Sequence, residues 1–223
     1  MSATTKRTLV LDLDGTLADT VLDLIPVLNR VTAPEGLPAI EMKNVGHVVG
    51  HGARRMIERA FSFHRRPLQT GQLDRLFDLF IEDYRANIAL NTVLFDGAED
   101  ALERFAKAGW LLAVCTNKQE DLSRKLLEEL GVMDRFAALT GGDTFTFRKP
   151  DPRHLIKTVE LAGGSPQGAI MVGDSVTDID TALAAKIPVV AVDFGYSDRP
   201  VGELGPQAVI SSFSQLWETV AAL

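Results

Sequence analysis

The chain holds a single cysteine, Cys115, so an internal disulfide is excluded. That absence fits a reducing cytoplasm, which is the compartment expected. Cys115 lies inside the apolar run Trp110-Leu-Leu-Ala-Val-Cys-Thr116, where a buried and inert thiol is expected rather than a nucleophile. No stretch of about 18 apolar residues is present, and nothing after Met1 resembles a signal-peptide core, so no membrane partner is expected. Positive charge is scarce: 23 lysines and arginines stand against 30 aspartates and glutamates, for a net charge of −7. With a pI near 5.1 a broadly basic surface is excluded, and no nucleic-acid partner is expected. A small anionic ligand is still allowed, because a local pocket can oppose the global charge. Repeats, low-complexity tracts and long charge blocks are also missing. What remains is ordinary for a soluble globular protein, 46% hydrophobic and 24% charged, and 223 residues suffice for one domain or a domain with an inserted module.

The most informative stretch is Leu9-Val-Leu-Asp-Leu-Asp-Gly-Thr-Leu-Ala-Asp-Thr20. Leu9 to Leu13 read as a strand buried on both faces, stopped by Gly15. In a strand, residues two apart point to one side, so Asp12 and Asp14 are expected to project into one small volume. Two carboxylates that close require a shared cation or proton. A strand running into a polar turn is the plainer reading of Asp-Gly, but it accounts less well for Asp-x-Asp-Gly-Thr behind an apolar strand.

Beyond this stretch, Thr20-Val-Leu-Asp23 reads as a capping box that starts a helix over Val21 to Val31. A loop at Ala33 to Pro38, a helix over Ala53 to Phe61, and an apolar stripe of Leu73, Leu76, Phe77, Phe80, Ile81, Tyr84 and Ile88 complete an all-helical span. From Gly97 onward strands and helices alternate. Strands are expected at 110–116, 136–140, 169–173, 189–192 and 208–210, and Asp151-Pro152 marks a strong helix start. The fold class is therefore α/β, a Rossmann-like parallel sheet core with an all-helical cap inserted after the first strand. Residues 1–18 and 95–223 form the expected core, and 19–94 the expected cap, with hinges near Leu17–Asp19 and Leu94–Gly97.

Ligands of such sheets bind beyond the carboxyl ends of the strands. There the sequence places Asp12 and Asp14, Thr116-Asn117-Lys118, Lys149 before a helix start, and Gly173-Asp174-Ser-Val-Thr-Asp178. Carboxylates to hold Mg²⁺, a cation, and small hydroxyl and amide donors are what a phosphoryl site requires. Taken singly, each piece has a plainer reading: Thr116-Asn117 as a helix cap, Lys149 as a surface lysine, Asp174 and Asp178 as turn and cap residues.

Taken together, Asp12-Leu-Asp14-Gly-Thr, Thr116-Asn117, Lys149-Pro150 and Gly173-Asp174-Ser-Val-Thr-Asp178 resemble the four ordered motifs of the haloacid dehalogenase-like hydrolase superfamily. The resemblance implies a Mg²⁺-dependent phosphomonoester hydrolase that forms an aspartyl-phosphate. Asp12 would be the nucleophile and Asp14 the general acid and base. Mg²⁺ would take the Asp12 carboxylate, the Asp14 carbonyl and Asp174, with Asp178 joining it or ordering its waters. Thr116, the Asn117 amide and Lys149 would hold the phosphoryl oxygens. The presence of Asp14 resembles the phosphoryl-transfer branches rather than the dehalogenases. Val49-Gly50-His51-Gly52-Ala53, Val114-Cys-Thr-Asn-Lys118, Lys149-Pro-Asp-Pro152 and Phe194-Gly195-Tyr196 are similar to phosphoglycolate phosphatases, although Asp96-Gly97 stands where a Pro-Gly pair is usual. That branch implies substrate contacts from Gly50, His51, Gly52 and Arg54 or Arg55. It also implies a small phosphate ester as partner, 2-phosphoglycolate among the candidates, with monomer and homodimer both open. A phosphomutase of the β-phosphoglucomutase type is the enzymatic alternative, though the cap lacks the Ser-Arg pair of that branch. A phosphonate hydrolase would need a cap lysine, and Lys43 has the wrong context. A phospho-receiver module is the non-enzymatic alternative, disfavoured by the 70-residue insert and by Thr116-Asn117 where a receiver would carry its aspartate.

Overall fold

The computed structural model describes residues 6–49 and 52–223. Six parallel strands form one sheet in the order β3-β2-β1-β4-β5-β6. They span β1 (Thr8–Leu11), β2 (Leu111–Cys115), β3 (Ala138–Thr140), β4 (Ala169–Gly173), β5 (Val189–Val192) and β6 (Ala208–Ile210). The helices are α1 (Val21–Thr32), α2 (Ala53–Phe63), α3 (Gln72–Ala86), α4 (Ala98–Lys107), α5 (Glu120–Glu129), α6 (Pro152–Leu161), α7 (Val176–Ala185) and α8 (Leu216–Ala221). This is the Rossmann-like α/β class expected from the alternation of strands and helices.

β1 is central because it is apolar on both faces. Leu9 and Leu11 join the core beneath α4, α5 and α8, while Val10 joins the opposite core with Leu155 and Val159 of α6 and Ile179 of α7. Val10 pairs with Ala113 of β2 on one side and Met171 of β4 on the other, so chain direction through the sheet reverses at β1. That crevice is where ligands of open α/β sheets bind.

The strand ends two residues earlier than its apolar run suggests. Asp12 N–H still donates to Val172 O at 2.9 Å, but Leu13 O accepts from Thr16, Leu17 and Ala18, which curls the chain out of the sheet. Asp12 and Asp14 are thus not related by simple strand alternation, which corrects the expected geometry. Gly15 makes the turn with φ +82°, and a Cβ there would stand 2.5 Å from an Asp174 carboxylate oxygen.

Between β1 and α4 the described residues are helical, with no strand beyond isolated bridges. Leu76, Phe80, Tyr84 and Ile88 of the expected stripe are buried, whereas Leu73, Phe77 and Ile81 are partly so. α1 and α3 are joined by the bidentate pair Arg30–Asp83, at 2.9 and 2.7 Å. The two connections to the sheet run side by side: Ala18 bridges Leu94 in antiparallel fashion, Asp19 N–H donates to Val93 O, and Phe95 N–H donates to Leu17 O. The capping box expected at Thr20-Val-Leu-Asp23 does not form, since Thr20 makes no side-chain cap. Asp23 instead accepts from the backbone and side chains of Asn91 and Thr92, at 2.8–3.1 Å. Burial alone would push its carboxyl up; these hydrogen bonds outweigh that and hold it below its ordinary value. A residue expected to start a helix is used to lash the returning chain to it.

Candidate active site

The carboxyl ends of β1 and β2 open into a cavity of about 620 Å³ lined by Asp12, Asp14, Thr116, Asn117, Lys118 and Lys149. Its far wall comes from the helical block, including Gly52, Arg54, Arg55 and Tyr84. Strand ends therefore furnish the floor, as the switch-point rule requires, and helices furnish the roof.

One buried lysine governs the floor. Lys149 Nζ lies 2.9 Å from Asp12 Oδ1 and 2.6 Å from Asp178 Oδ1. Burial alone would pull its ammonium down, but Asp12 and Asp178 more than reverse this and hold it protonated. The Lys149 backbone is clamped too: its N–H donates to His154 Nδ1, and its carbonyl accepts from Asn117 Nδ2 at 3.0 Å. The Asn117 side chain, which also borders the cavity, therefore holds Lys149 in place through its amide nitrogen.

Asp12, Asp174 and Asp178 each present a carboxylate oxygen within 4.8 Å of the others. Burial, then Asp178, push the Asp12 carboxyl up to about 7, with Lys149 pulling the other way. Burial pushes Asp174 well above its usual range as well, aided by Asp178 and Asp12. Three acids thus face one lysine, and the shortage of positive charge is the physical sign of a cation site. The all-oxygen donor set suits Mg²⁺. Asp174 is pre-oriented by Tyr196 N–H at 2.7 Å and Thr16 Oγ1 at 3.3 Å. Asp178 uses its second oxygen in a capping box with Ser175, which opens α7. Gly195 lies so close to Asp174 that any Cβ would overlap its side chain.

Asp14 also lines the cavity but answers to a different cation. Lys118 Nζ stands 2.8 Å from Asp14 Oδ1 and 4.4 Å from the centroid of the Tyr84 ring. Desolvation opposes the Lys118 charge, yet Asp14 and Tyr84 raise its affinity for the proton above the ordinary value. The two acids of the first motif pair with different cations, Asp12 with Lys149 and Asp14 with Lys118. Thr116 is buried at the end of β2, and its Oγ1 accepts from the Lys118 N–H.

Residues expected in the roof divide. Gly50 and His51 lie outside the described residues. Gly52 sits over the core, with a notional Cβ 3.6 Å from Asn117 O. Arg54 borders the cavity, but its guanidinium is engaged by Asp74 at 2.5 Å and lies over the Phe77 ring. Arg55 pairs with Glu58. Sequence places Lys118 at a strand end and Tyr84 in an apolar stripe, but assigns neither a role in the site. Lys118 directly follows Thr116-Asn117, a usable signal, whereas Tyr84 is indistinguishable in the α3 stripe from a core aromatic. Cys115 is buried and its thiol is pushed up to about 11 by burial, as its apolar context suggests.

The sequence matches the family model for haloacid dehalogenase-like hydrolases over residues 9–192. The chain belongs to that family. It is 54% identical over 208 residues to a phosphoglycolate phosphatase of Mesorhizobium japonicum, covering 93% of this chain and 92% of the relative. A phosphoglycolate phosphatase of Agrobacterium fabrum is 47% identical, covering 93% and 89%. The crystal structure of a predicted phosphoglycolate phosphatase from Haemophilus somnus superposes with a TM-score of 0.89 at 25% identity, covering 98% of this chain and all of the other. Within the family, the chain is a phosphatase. No helix among the described residues is long and apolar enough to cross a membrane.

Proposed function

We propose that this phosphatase hydrolyses 2-phosphoglycolate, with Asp12 as nucleophile and Asp14 as the proton-transfer group. The observation that carries the assignment is the division of the two acids between Lys149 and Lys118. A nucleophile must be ionised and aimed at phosphorus, while a proton donor must stand apart from it at the ester oxygen. In the first half-reaction an Asp12 oxygen bonds to phosphorus, the phosphorus–ester oxygen bond breaks, and Asp14 gives its proton to the departing alkoxide. In the second, Asp14 takes a proton from water as the water oxygen bonds to phosphorus. The bond to Asp12 then breaks and inorganic phosphate leaves.

Asp12, Asp174, Asp178 and the Asp14 carbonyl would hold Mg²⁺, which when bound supplies positive charge against the phosphoryl oxygens. Lys149 would offset the same charge, and the Thr116 hydroxyl and Asn117 backbone amide would complete the cradle. Residues 1–18 and 95–223 act as the catalytic core and 19–94 as the cap that excludes water. The choice of 2-phosphoglycolate is supported by the phosphoglycolate phosphatases among the relatives and by coverage of nearly the whole of both chains.

Phosphate release should be measured side by side for 2-phosphoglycolate, sugar phosphates and nucleoside monophosphates, with Mg²⁺ present. The first is expected to give the highest kcat/KM. Asp12→Asn should lower turnover on every substrate by at least about a thousandfold, as loss of a nucleophile does. Wild-type turnover in that variant would remove the assignment.

A further inference from the structure

We propose that Lys118 and Tyr84 form the receptor for a carboxylate on the leaving group, and so set the substrate class of the site. The inference deepens the reading above and rests on Asp14 being the group that protonates the ester oxygen.

Whatever oxygen Asp14 protonates must come within hydrogen-bond distance of it. Lys118 Nζ is already 2.8 Å from Asp14 Oδ1, so a leaving group at Asp14 has the ammonium beside it. In a short carboxylate-bearing alkyl phosphate the carboxyl carbon is two bonds from the ester oxygen, which brings its oxygens to that ammonium. An ammonium has three donors, and the Asp14 contact uses one.

Tyr84 supplies the second, independent observation. It is 1% exposed, lines the same cavity, and its hydroxyl proton finds no acceptor among the described residues. Lys118 beside it is only a donor and offers no acceptor for the phenol proton. A buried O–H without an acceptor is costly, and a ligand carboxylate would relieve it. The other positive groups lining the cavity are less suited. Lys149 is committed to Asp12 and Asp178, Arg54 to Asp74, and Arg55 to Glu58, while Arg148 stands exposed. Lys118 comes from the end of β2 and Tyr84 from α3. The receptor therefore exists only while the helical block covers the core, which ties recognition of the carboxylate to closure.

The test compares 2-phosphoglycolate with ethyl phosphate, an ester of equal length that lacks the carboxylate. The wild-type enzyme should prefer the former by about a hundredfold in kcat/KM. Tyr84→Phe should cut that preference about tenfold, chiefly through KM, as expected for one hydrogen bond to a charged group. Lys118→Met should lower kcat/KM for both esters and erase the preference. Binding to the Asp12→Asn variant gives a readout without turnover. There, adding Tyr84→Phe should bring the ratio of the two dissociation constants down about tenfold. The inference is overturned if the wild type does not distinguish the esters, if Tyr84→Phe keeps the full preference, or if Arg148→Ala removes it instead. Failure of the underlying reading looks different, because Asp14→Asn would then keep wild-type turnover of both esters.

Discussion

The pocket at the strand ends and the helical block above it use charge in opposite ways. In the pocket, the Lys149 side chain is 1% exposed and its partner Asp178 fully buried, so this pair is held away from water. In the helical block, Arg54–Asp74 and Arg55–Glu58 lie at the surface, where water replaces either partner at little cost. The first arrangement cannot lose a member without exposing a buried opposite charge. The second can be rewritten freely. The seam between them, where Asp23 holds Asn91 and Thr92, resembles the pocket in its burial and the block in its position.

The contrast can be broken most severely at Lys149. Lys149→Met should cost about 3–5 kcal/mol at pH 8 without metal, the range for stripping one partner from a buried pair. The loss should shrink when Mg²⁺ is added, and chemical denaturation with and without the ion measures both. A variant as stable as wild type in metal-free buffer would mean that the pocket tolerates uncompensated charge.

The seam should come next. Asp23→Ala leaves the buried Thr92 N–H and the part-buried Asn91 N–H without their acceptor, at a cost of about 3 kcal/mol. Denaturation midpoints, read against the smaller loss expected for Asp23→Asn, check this.

His154 gives a pH-dependent version of the comparison. It is buried at the back of Lys149, and burial followed by the Lys149 charge holds its imidazole down at about 4, with Asp151 opposing. The unfolded chain would take up that proton near pH 6.5, so the folded state binds fewer protons between those values. Stability from this group is intact above pH 6.5 and erodes as pH falls toward 4. Wild type should therefore lose about 2 kcal/mol relative to His154→Asn between pH 7.5 and pH 5. An equal pH dependence in both proteins would show that His154 is not the group responsible.

The smallest effect belongs to the roof. Arg54→Ala breaks an exposed pair and a contact with Phe77, so stability should fall by less than about 1 kcal/mol. Turnover of 2-phosphoglycolate should change only a few-fold. A hundredfold rise in KM would instead return Arg54 to the role that its place in the sequence suggests.

Much of this was legible before any coordinates. Strand ends can be read from apolar runs, so Asp12, Thr116 and Asp174 could be set on one edge of a parallel sheet from local pattern alone. The cap of α6 was visible for the same reason, with Asp151 accepting from Arg153 N–H as the Asp-Pro start suggests. Where sequence reading failed, a local rule competed with a distant partner. Asp23 fits a capping box perfectly well in its own turn, yet four donors arriving 68 and 69 residues later take its carboxylate. Arg54 stands where a substrate contact is expected, but Asp74 on the neighbouring helix claims it.

The sequence by itself determined the order of strands and helices, the family, and the set of acids and hydroxyls at the floor of the cavity. Those depend on periodicity and on motifs a few residues long. Only the tertiary structure decided which lysine answers which aspartate, and that Tyr84 stands over Lys118. Such pairings join residues 34 to 137 positions apart, and burial makes them strong, but no local pattern encodes them.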